Sequence, residues 1–204
     1  MYFRPGEAHG LPTNPFNALV VPRPIGWISS RSADGVDNLA PFSFFNAVAY
    51  DPPQVMFAAT GNHSAGGLKD SVHNIQQTGE FVVNLATEAL TQQINTSSAT
   101  LPPDIDEIEL AELTPQPSTL VKAPRVGESP AHLECTHFQT VPLPANNPAQ
   151  PNNIVIGSVI GVHIDESILT DGMVDTLKFK PLARLGYMEY TVVNNVFSML
   201  RPGM

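Results

Sequence analysis

The sequence carries little charge, and little of that charge is positive. Charged side chains make up 14% of the 204 residues, and 10 Lys and Arg stand against 19 Asp and Glu, which gives a net charge of −9. Nucleic acids and anionic membrane surfaces are bound largely through Lys and Arg, so this balance argues against both as partners. An acidic chain can still bind a phosphorylated ligand where a few donors converge on the phosphate.

Cysteine occurs once, at Cys135, so no intrachain disulfide can form, which fits a reducing compartment. Its apolar neighbours favour a packing role over a nucleophilic one. The first residues lack the basic start and apolar run of a secretory signal. No later stretch reaches the ~18 apolar residues that a membrane span needs. We therefore expect a soluble, cytoplasmic protein.

The common catalytic motifs are also missing. The sequence contains no GxGxxG, Walker A loop, CxxC pair, HExxH or GxSxG. Its 6 histidines are scattered, without a metal-type pair at helical spacing. We expect each of them to be a packed or surface residue, and among them His163 has the strongest claim to a site because it alternates within a buried strand pattern.

Proline, by contrast, is abundant, and it shapes the predicted fold. The 20 prolines mark turns and extended segments and leave little room for long helices. The length predicts one domain over residues 1–204. Six or seven predicted strands with few helices favour a mainly β fold, a small antiparallel barrel of the Greek-key kind, over a doubly wound sheet. Side chains fill a barrel of this size, so a cofactor would lie outside it or between subunits.

The predicted elements follow from local patterns. Strand patterns cover residues 25–32, 38–50, 54–60, 80–86, 131–141, 153–164 and 187–193. A turn at Ala33-Asp34-Gly35 joins the first two into a hairpin. In the long run at 153–164, Gly157 and Gly161 indicate bends or close backbone approaches.

Two helices and two irregular segments complete the prediction. Residues 68–78 have helical periodicity and Gly79 as a stop signal, and residues 87–97 predict a second helix. Residues 99–130, rich in proline and acids, predict an ordered excursion with one short helix. Residues 142–152 predict an exposed loop.

Two segments carry a resemblance to a known family. They are PRPIGWISSRSADGVDNLAPFSFFN at 22–46 and GLKDSVHNIQQTGEFVVNL at 67–85, supported by RLGYMEY at 184–190. Together they closely resemble the flavin reductase-like family, whose members share an FMN-binding split barrel. The resemblance is strongest over residues 15–90. It implies a homodimer that holds FMN near the dimer interface and reduces flavin with NADH or NADPH, with a monooxygenase as a possible acceptor.

The residue types in these segments fit a flavin site. Such a site needs a flat apolar bed, small polar groups along the ring edge and several donors at the phosphate. The bed residues would be Ala40, Pro41, Phe42 and Phe44, and the ring-edge or ribityl residues would be Asn38, Ser43 and Asn46. The phosphate residues would be Ser29, Ser30, Lys69 and Ser71. Taken singly, each residue fits an ordinary core or surface role equally well, and only their joint occurrence favours a site.

Lys69 is the main phosphate candidate. It follows Gly66-Gly67 at a predicted helix start, where unpaired amides and the helix dipole favour an anion. Ser29 and Ser30 are the alternative anchor for the phosphate.

One triplet departs from the family pattern. Some short members have Gly-Asp-His, associated with nicotinamide handling, before the strand that begins here near residue 153, where this chain has Pro151-Asn152-Asn153. Two alternatives therefore stay open beside the reductase. One is a non-catalytic FMN carrier or electron-transfer module, and the other is a flavin-free small-ligand-binding β-barrel in which the aromatic run is only core.

Overall fold

The structure, a computed structural model, describes residues 1–61 and 67–203. The strands are β1 (Arg23–Pro24), β2 (Gly26–Arg31), β3 (Asp37–Phe42), β4 (Phe45–Tyr50), β5 (Pro53–Thr60), β6 (Glu80–Leu85), β7 (Pro115–Gln116), β8 (Arg125–Val126), β9 (Ala131–Leu143), β10 (Asn152–Ile164), β11 (Leu169–Thr170), β12 (Met173–Val174), β13 (Leu182–Arg184) and β14 (Tyr190–Val192). The α-helices are α1 (Phe16–Leu19), α2 (Asp70–Thr78), α3 (Thr91–Thr96), α4 (Glu107–Leu110) and α5 (Thr176–Phe179), with single 3-10 turns at Glu88–Leu90 and Glu166–Ile168.

A seven-stranded antiparallel sheet forms the body of the fold. Its strand order is β3-β2-β6-β9-β10-β5-β4, with the two 13-residue strands β9 and β10 near the centre. The sequential pairs β2–β3, β4–β5 and β9–β10 are antiparallel neighbours. Helix α2 connects β5 to β6, which lies between β2 and β9. The expectation of a mainly β fold with a few short helices is confirmed.

The aromatic run at 38–50 was expected to be one strand, and this expectation is wrong. The run divides into β3 and β4, which lie at opposite edges of the sheet. The division follows from packing: the ring of Phe42 turns into the core, while the ring of Phe45 covers Gly26, where a Cβ would lie 2.5 Å from Phe45 Cδ2. The bend at Ser43 and Phe44 allows both rings to be placed.

Local signals were more successful at the first hairpin and at α2. Ser32 N donates to Val36 O at 2.8 Å, and Gly35 takes the left-handed φ of +92° that the turn requires. Helix α2 ends at Gly79, which has a φ of +77° and donates its N–H to Ile75 O at 2.9 Å. Of the predicted Gly66-Gly67 pair, Gly66 lies outside the described residues.

Three aromatic rings pack against one another in the core, one pair tilted and the other edge-on. The ring centroids of Phe42 and Phe57 are 4.6 Å apart, and those of Phe57 and Phe81 are 5.9 Å apart. Phe81 leaves no room for a side chain at Gly157, in agreement with the close approach predicted there. Cys135 is fully buried in the same cluster, and burial raises the pKa of its thiol to about 12, which fits the expected packing role.

The last predicted strand, at 187–193, is shorter than expected. Strands β13 and β14 pair with each other, and the RLGYMEY segment supplies the turn between them. The turn is fixed by Gly186, which packs directly against Ala18, and by Leu185 N donating to Glu189 O at 3.0 Å.

The excursion at 99–130 contains one short helix, α4, as predicted, and a small β7–β8 hairpin. Among the described residues, no helix has the length and apolar character to cross a membrane.

Candidate functional site

A cavity of about 80 Å³ lies between β3 and the start of α2. Its walls include six residues that the sequence assigned to a ligand site: Asn38, Ala40, Pro41, Phe42, Lys69 and Ser71. The remaining wall is formed by Asp70 and by residues 97–101, which the sequence analysis did not assign to a site. Three segments that are separate in the chain, 38–42, 69–71 and 97–101, thus meet at one cavity.

The start of α2 is fixed by backbone geometry. Lys69 is extended, with φ −63° and ψ 145°, and its carbonyl accepts from Val72 N at 2.9 Å and from His73 N at 3.0 Å. The helix therefore begins directly after Lys69. The first amides of a helix lack intrahelical partners and carry the positive end of the helix dipole. The Lys69 ammonium and the positive end of this dipole favour an anion at this end of the cavity, whereas the Asp70 carboxylate, which also lines it, opposes one.

A buried polar network lies beneath the cavity wall. Ser71 Oγ donates to Asn38 Oδ1 at 2.8 Å, and Ser30 Oγ donates to the same oxygen at 3.4 Å. Asn74 Nδ2 donates to Ser30 Oγ at 3.3 Å. All four residues are buried, so their polar groups form hydrogen bonds with one another in place of water.

The network ends at a carboxylate, Glu107, which the sequence analysis missed. Glu107 Oε2 accepts from Asn38 Nδ2 at 2.9 Å and from Leu39 N at 3.0 Å, and the residue is 5% exposed. Burial raises the pKa of this carboxyl above its usual value, although these donors act in the opposite direction. The only local signal is Asp106, which caps α4 by accepting from Ile108 N at 2.7 Å and so directs the next residue inward.

The back wall at residues 97–101 is tied to the core through the only tryptophan. Trp27 is fully buried on β2, and its Nε1 donates to Ser97 Oγ at 2.9 Å. Ser97 Oγ also donates weakly to Ile94 O at 3.3 Å, closing the end of helix α3. The wall is therefore anchored from behind.

Ser29 does not line the cavity. Its hydroxyl donates to Pro124 O at 2.5 Å and accepts from Asn84 Nδ2 at 3.0 Å, and the residue is fully buried. Successive residues of a strand point to opposite faces, so Ser29 and Ser30 cannot both face the same ligand.

The residues beyond the β3–β4 bend also lie away from the cavity. Ser43 is at the bend, Asn46 is exposed on β4, and the ring of Phe44 lies 5.8 Å from the Arg23 guanidinium. Phe42 lines the cavity, but its ring packs at a tilt against Phe57 in the core. Besides the edge of Phe42, the apolar part of the wall consists of Ala40, Pro41, Ala99 and Leu101.

His163 lies in a different part of the sheet. Its Nε2 is 2.5 Å from Oε1 of the buried Glu134, whose carboxylate also accepts from the amides of Thr119 and Leu120 at 2.8 and 2.6 Å. These contacts hold the excursion against β9. Within residues 1–61 and 67–203, no cluster of three or more His, Cys, Asp or Glu is arranged to hold a metal ion.

The cavity is small for a flavin. Pockets that enclose a ligand of drug size measure roughly 300 to 1,000 Å³, against about 80 Å³ here. The walls of one chain would therefore surround only one end of such a ligand.

Comparison with known proteins identifies relatives over most of the chain. The family model described as "Flavin reductase like domain" matches residues 18–183. A protein of Aquifex aeolicus is 39% identical over 173 residues, which are 84% of this chain and 85% of that protein. Nitrilotriacetate monooxygenase component B from Bacillus cereus has a TM-score of 0.88 at 31% identity, with 98% of each chain covered. A Shewanella frigidimarina protein described as having a split barrel domain has a TM-score of 0.79 at 23% identity, with 91% of this chain and 89% of that chain covered.

Proposed function

The chain belongs to the flavin reductase-like family, and its fold is the split β-barrel expected from the sequence; from this premise we propose that it binds FMN as a homodimer and reduces it with NADH or NADPH. The observation that carries the proposal is the convergence of β3 and the start of α2 on one cavity. Both segments belong to the part of the sequence that resembles the family most closely.

The residues of the cavity fit an FMN molecule in character. Lys69 and the first turn of α2 suit a phosphate, Ala40 and Pro41 supply an apolar wall, and the buried network offers polar groups between them. Bound FMN would supply the electron-transfer chemistry, taking a hydride from the nicotinamide and passing electrons to an acceptor. The chain's own tasks would be to bind, orient and shield the reacting rings from water.

A second copy of the chain would complete the site. The chain exposes 12283 Å², whereas a compact monomer of its 22.0 kDa mass exposes roughly 9,300 Å². Part of this excess is apolar: Ile160, Val162 and Ile164 alternate along the outer side of β10 and are 43%, 59% and 45% exposed. Such a stripe is typical of a surface that another subunit covers. Light scattering should give twice the chain mass, and a monomer at micromolar concentration would refute the dimer.

We propose that the acceptor is a monooxygenase partner. The support is the likeness to component B of nitrilotriacetate monooxygenase, whose description makes it one component of such a system. The assay is consumption of NADH or NADPH with FMN, with and without an added oxygenase component.

The visible spectrum and anaerobic reduction test the function directly. The purified protein should be yellow or should bind added FMN, and NADH or NADPH should bleach the flavin band within minutes. Binding without bleaching would favour the non-catalytic carrier. A protein that leaves FMN absorbance and fluorescence unchanged would be the flavin-free barrel.

Lys69→Ala tests the phosphate end of the site. A charge-assisted contact is worth about 1.5 to 3 kcal/mol, so FMN should bind roughly 10- to 100-fold more weakly, while riboflavin, which lacks the phosphate, should change little. The matched control is Lys122→Ala, which removes the same charge from an exposed position outside the cavity. Equal losses for both flavins, or no loss for FMN, would contradict the role of Lys69.

A further inference from the structure

We propose that Glu107 is a positioning residue that sets the direction of hydrogen bonding in the buried network, so that the network receives the ribityl hydroxyls of the flavin and not its phosphate. The inference rests on the proposed flavin binding. It gives a role to the acidic excursion, which the sequence left unassigned.

The first step concerns the orientation of Asn38. Glu107 Oε2 receives two N–H donors, Asn38 Nδ2 and Leu39 N, and a carboxylate oxygen can only accept from them. The Asn38 amide must therefore turn its nitrogen toward Glu107, which leaves Oδ1 facing the opposite way. Because Leu39 N belongs to the backbone of β3, the carboxylate is tied to the strand that forms the cavity wall.

The second step follows along the network. Asn38 Oδ1 is an acceptor, so the Ser71 hydroxyl, 2.8 Å away, gives its proton to it. Ser30 makes a longer bond of the same direction. Ser71 Oγ then retains only acceptor capacity toward the cavity. Both lone pairs of Asn38 Oδ1 already accept from Ser71 and Ser30, so Ser71 Oγ is the oxygen that presents a lone pair at the wall.

This arrangement distinguishes between the parts of a flavin. A phosphate at neutral pH offers mainly acceptor oxygens, which would face acceptors here, with the Glu107 carboxylate behind them. Ribityl hydroxyls can donate and therefore match the accepting Ser71 Oγ. The phosphate is left to the Lys69 ammonium and the positive end of the α2 dipole. This differs from the sequence hypothesis, in which Ser30 and Ser71 joined Lys69 at the phosphate.

Three flavins separate these roles: FMN, riboflavin without the phosphate, and lumiflavin without phosphate and ribityl chain. Their dissociation constants are measured by titration into wild type, Glu107→Ala, Glu107→Gln and Lys69→Ala. Loss of the acceptor in Glu107→Ala leaves Asn38 Nδ2 and Leu39 N unpaired, so FMN and riboflavin should both weaken by about 10-fold or more, and lumiflavin by less than about twofold. Glu107→Gln keeps an acceptor oxygen and should restore binding to within about threefold of wild type. Lys69→Ala should weaken FMN alone.

The remaining outcomes overturn the inference. An equal loss of affinity for all three flavins in Glu107→Ala would mean a general structural defect. A loss of affinity for FMN alone would mean that the network contacts the phosphate. No loss, or failure of Glu107→Gln to rescue, would remove the positioning role. If Glu107→Ala does not fold by circular dichroism, Ser71→Ala removes the acceptor at the wall and must give the same order of effects. A wild type that binds none of the three flavins would refute the proposed function itself, a result distinct from any pattern among the variants.

Discussion

Replacing Gly157 with alanine should destabilise the protein through a single steric conflict. A Cβ at this position would lie 2.3 Å from Phe81 Cζ and 2.7 Å from Phe81 Cε1, well inside contact distance. Phe81 is fully buried and packs edge-on against Phe57, whose ring packs at a tilt against Phe42. The ring cannot move away without displacing its neighbours in turn.

The size of the effect can be estimated from two opposing contributions. Overpacking a well-filled core costs about 1 to 3 kcal/mol. Replacing glycine by alanine restricts the unfolded chain and returns about 0.4 to 1 kcal/mol where the backbone conformation is compatible. The clash exceeds the gain, so we expect Gly157→Ala to lose about 1 to 2 kcal/mol of unfolding free energy.

Strand β10 offers a matched control in Gly161. A Cβ there would meet Leu120 Cδ1 at 3.3 Å and Glu134 Cβ at 3.4 Å, a tight but far milder approach. Gly161→Ala should therefore change stability by less than about 0.5 kcal/mol. Urea unfolding followed by circular dichroism gives both values. The reasoning fails if Gly157→Ala is as stable as wild type, or if the two variants lose the same amount.

Two further predictions concern buried titratable groups. Burial alone would raise the pKa of Glu134, but amide donors, with Thr119 first, and His163 outweigh it and hold this pKa below its usual value. The contribution of the Glu134 carboxylate to the unfolding free energy is thus complete above the pKa of about 4.3 that it has in the unfolded chain. This contribution is lost as pH falls through the lower pKa of the folded state. At pH 7, Glu134→Gln should have a lower unfolding free energy than wild type. Between about pH 5 and pH 3, urea titrations should show that the variant loses less unfolding free energy than wild type does. Parallel pH curves for the two proteins would contradict this. Cys135, buried with a thiol pKa of about 12, should not react with a thiol reagent until urea unfolds the protein, and rapid labelling of the native state would show the packing to be wrong.

Local signals were sufficient where the determining contacts are close in sequence. Helix α2 ends at Gly79, which has a left-handed conformation and donates its N–H to the carbonyl of Ile75, four residues earlier. The first hairpin is closed by a hydrogen bond from Ser32 N to Val36 O. The six predicted cavity residues lie in two short segments adjacent to such signals. Patterns of this kind therefore predicted the mainly β fold, and they selected two of the three segments that line the cavity.

Long-range contacts account for what the sequence could not predict. The break between β3 and β4 depends on Phe45 covering Gly26, on a strand to which β4 is not paired. Glu107 meets Asn38 across 69 positions, and the only signal in DIDEIELAEL that sets it apart from its acidic neighbours is the cap at Asp106. Ser29 and Ser30 are both fully buried, so polarity alone could not tell which one faces the network.

The bond between Trp27 and Ser97 has an optical consequence. The chain has one indole, and this indole lies a single hydrogen bond behind the cavity wall. Flavins absorb in the near ultraviolet, where tryptophan emits, so a flavin in the cavity would quench this fluorescence by energy transfer. The chain thus carries a reporter of cavity occupancy, with no second tryptophan to dilute the signal.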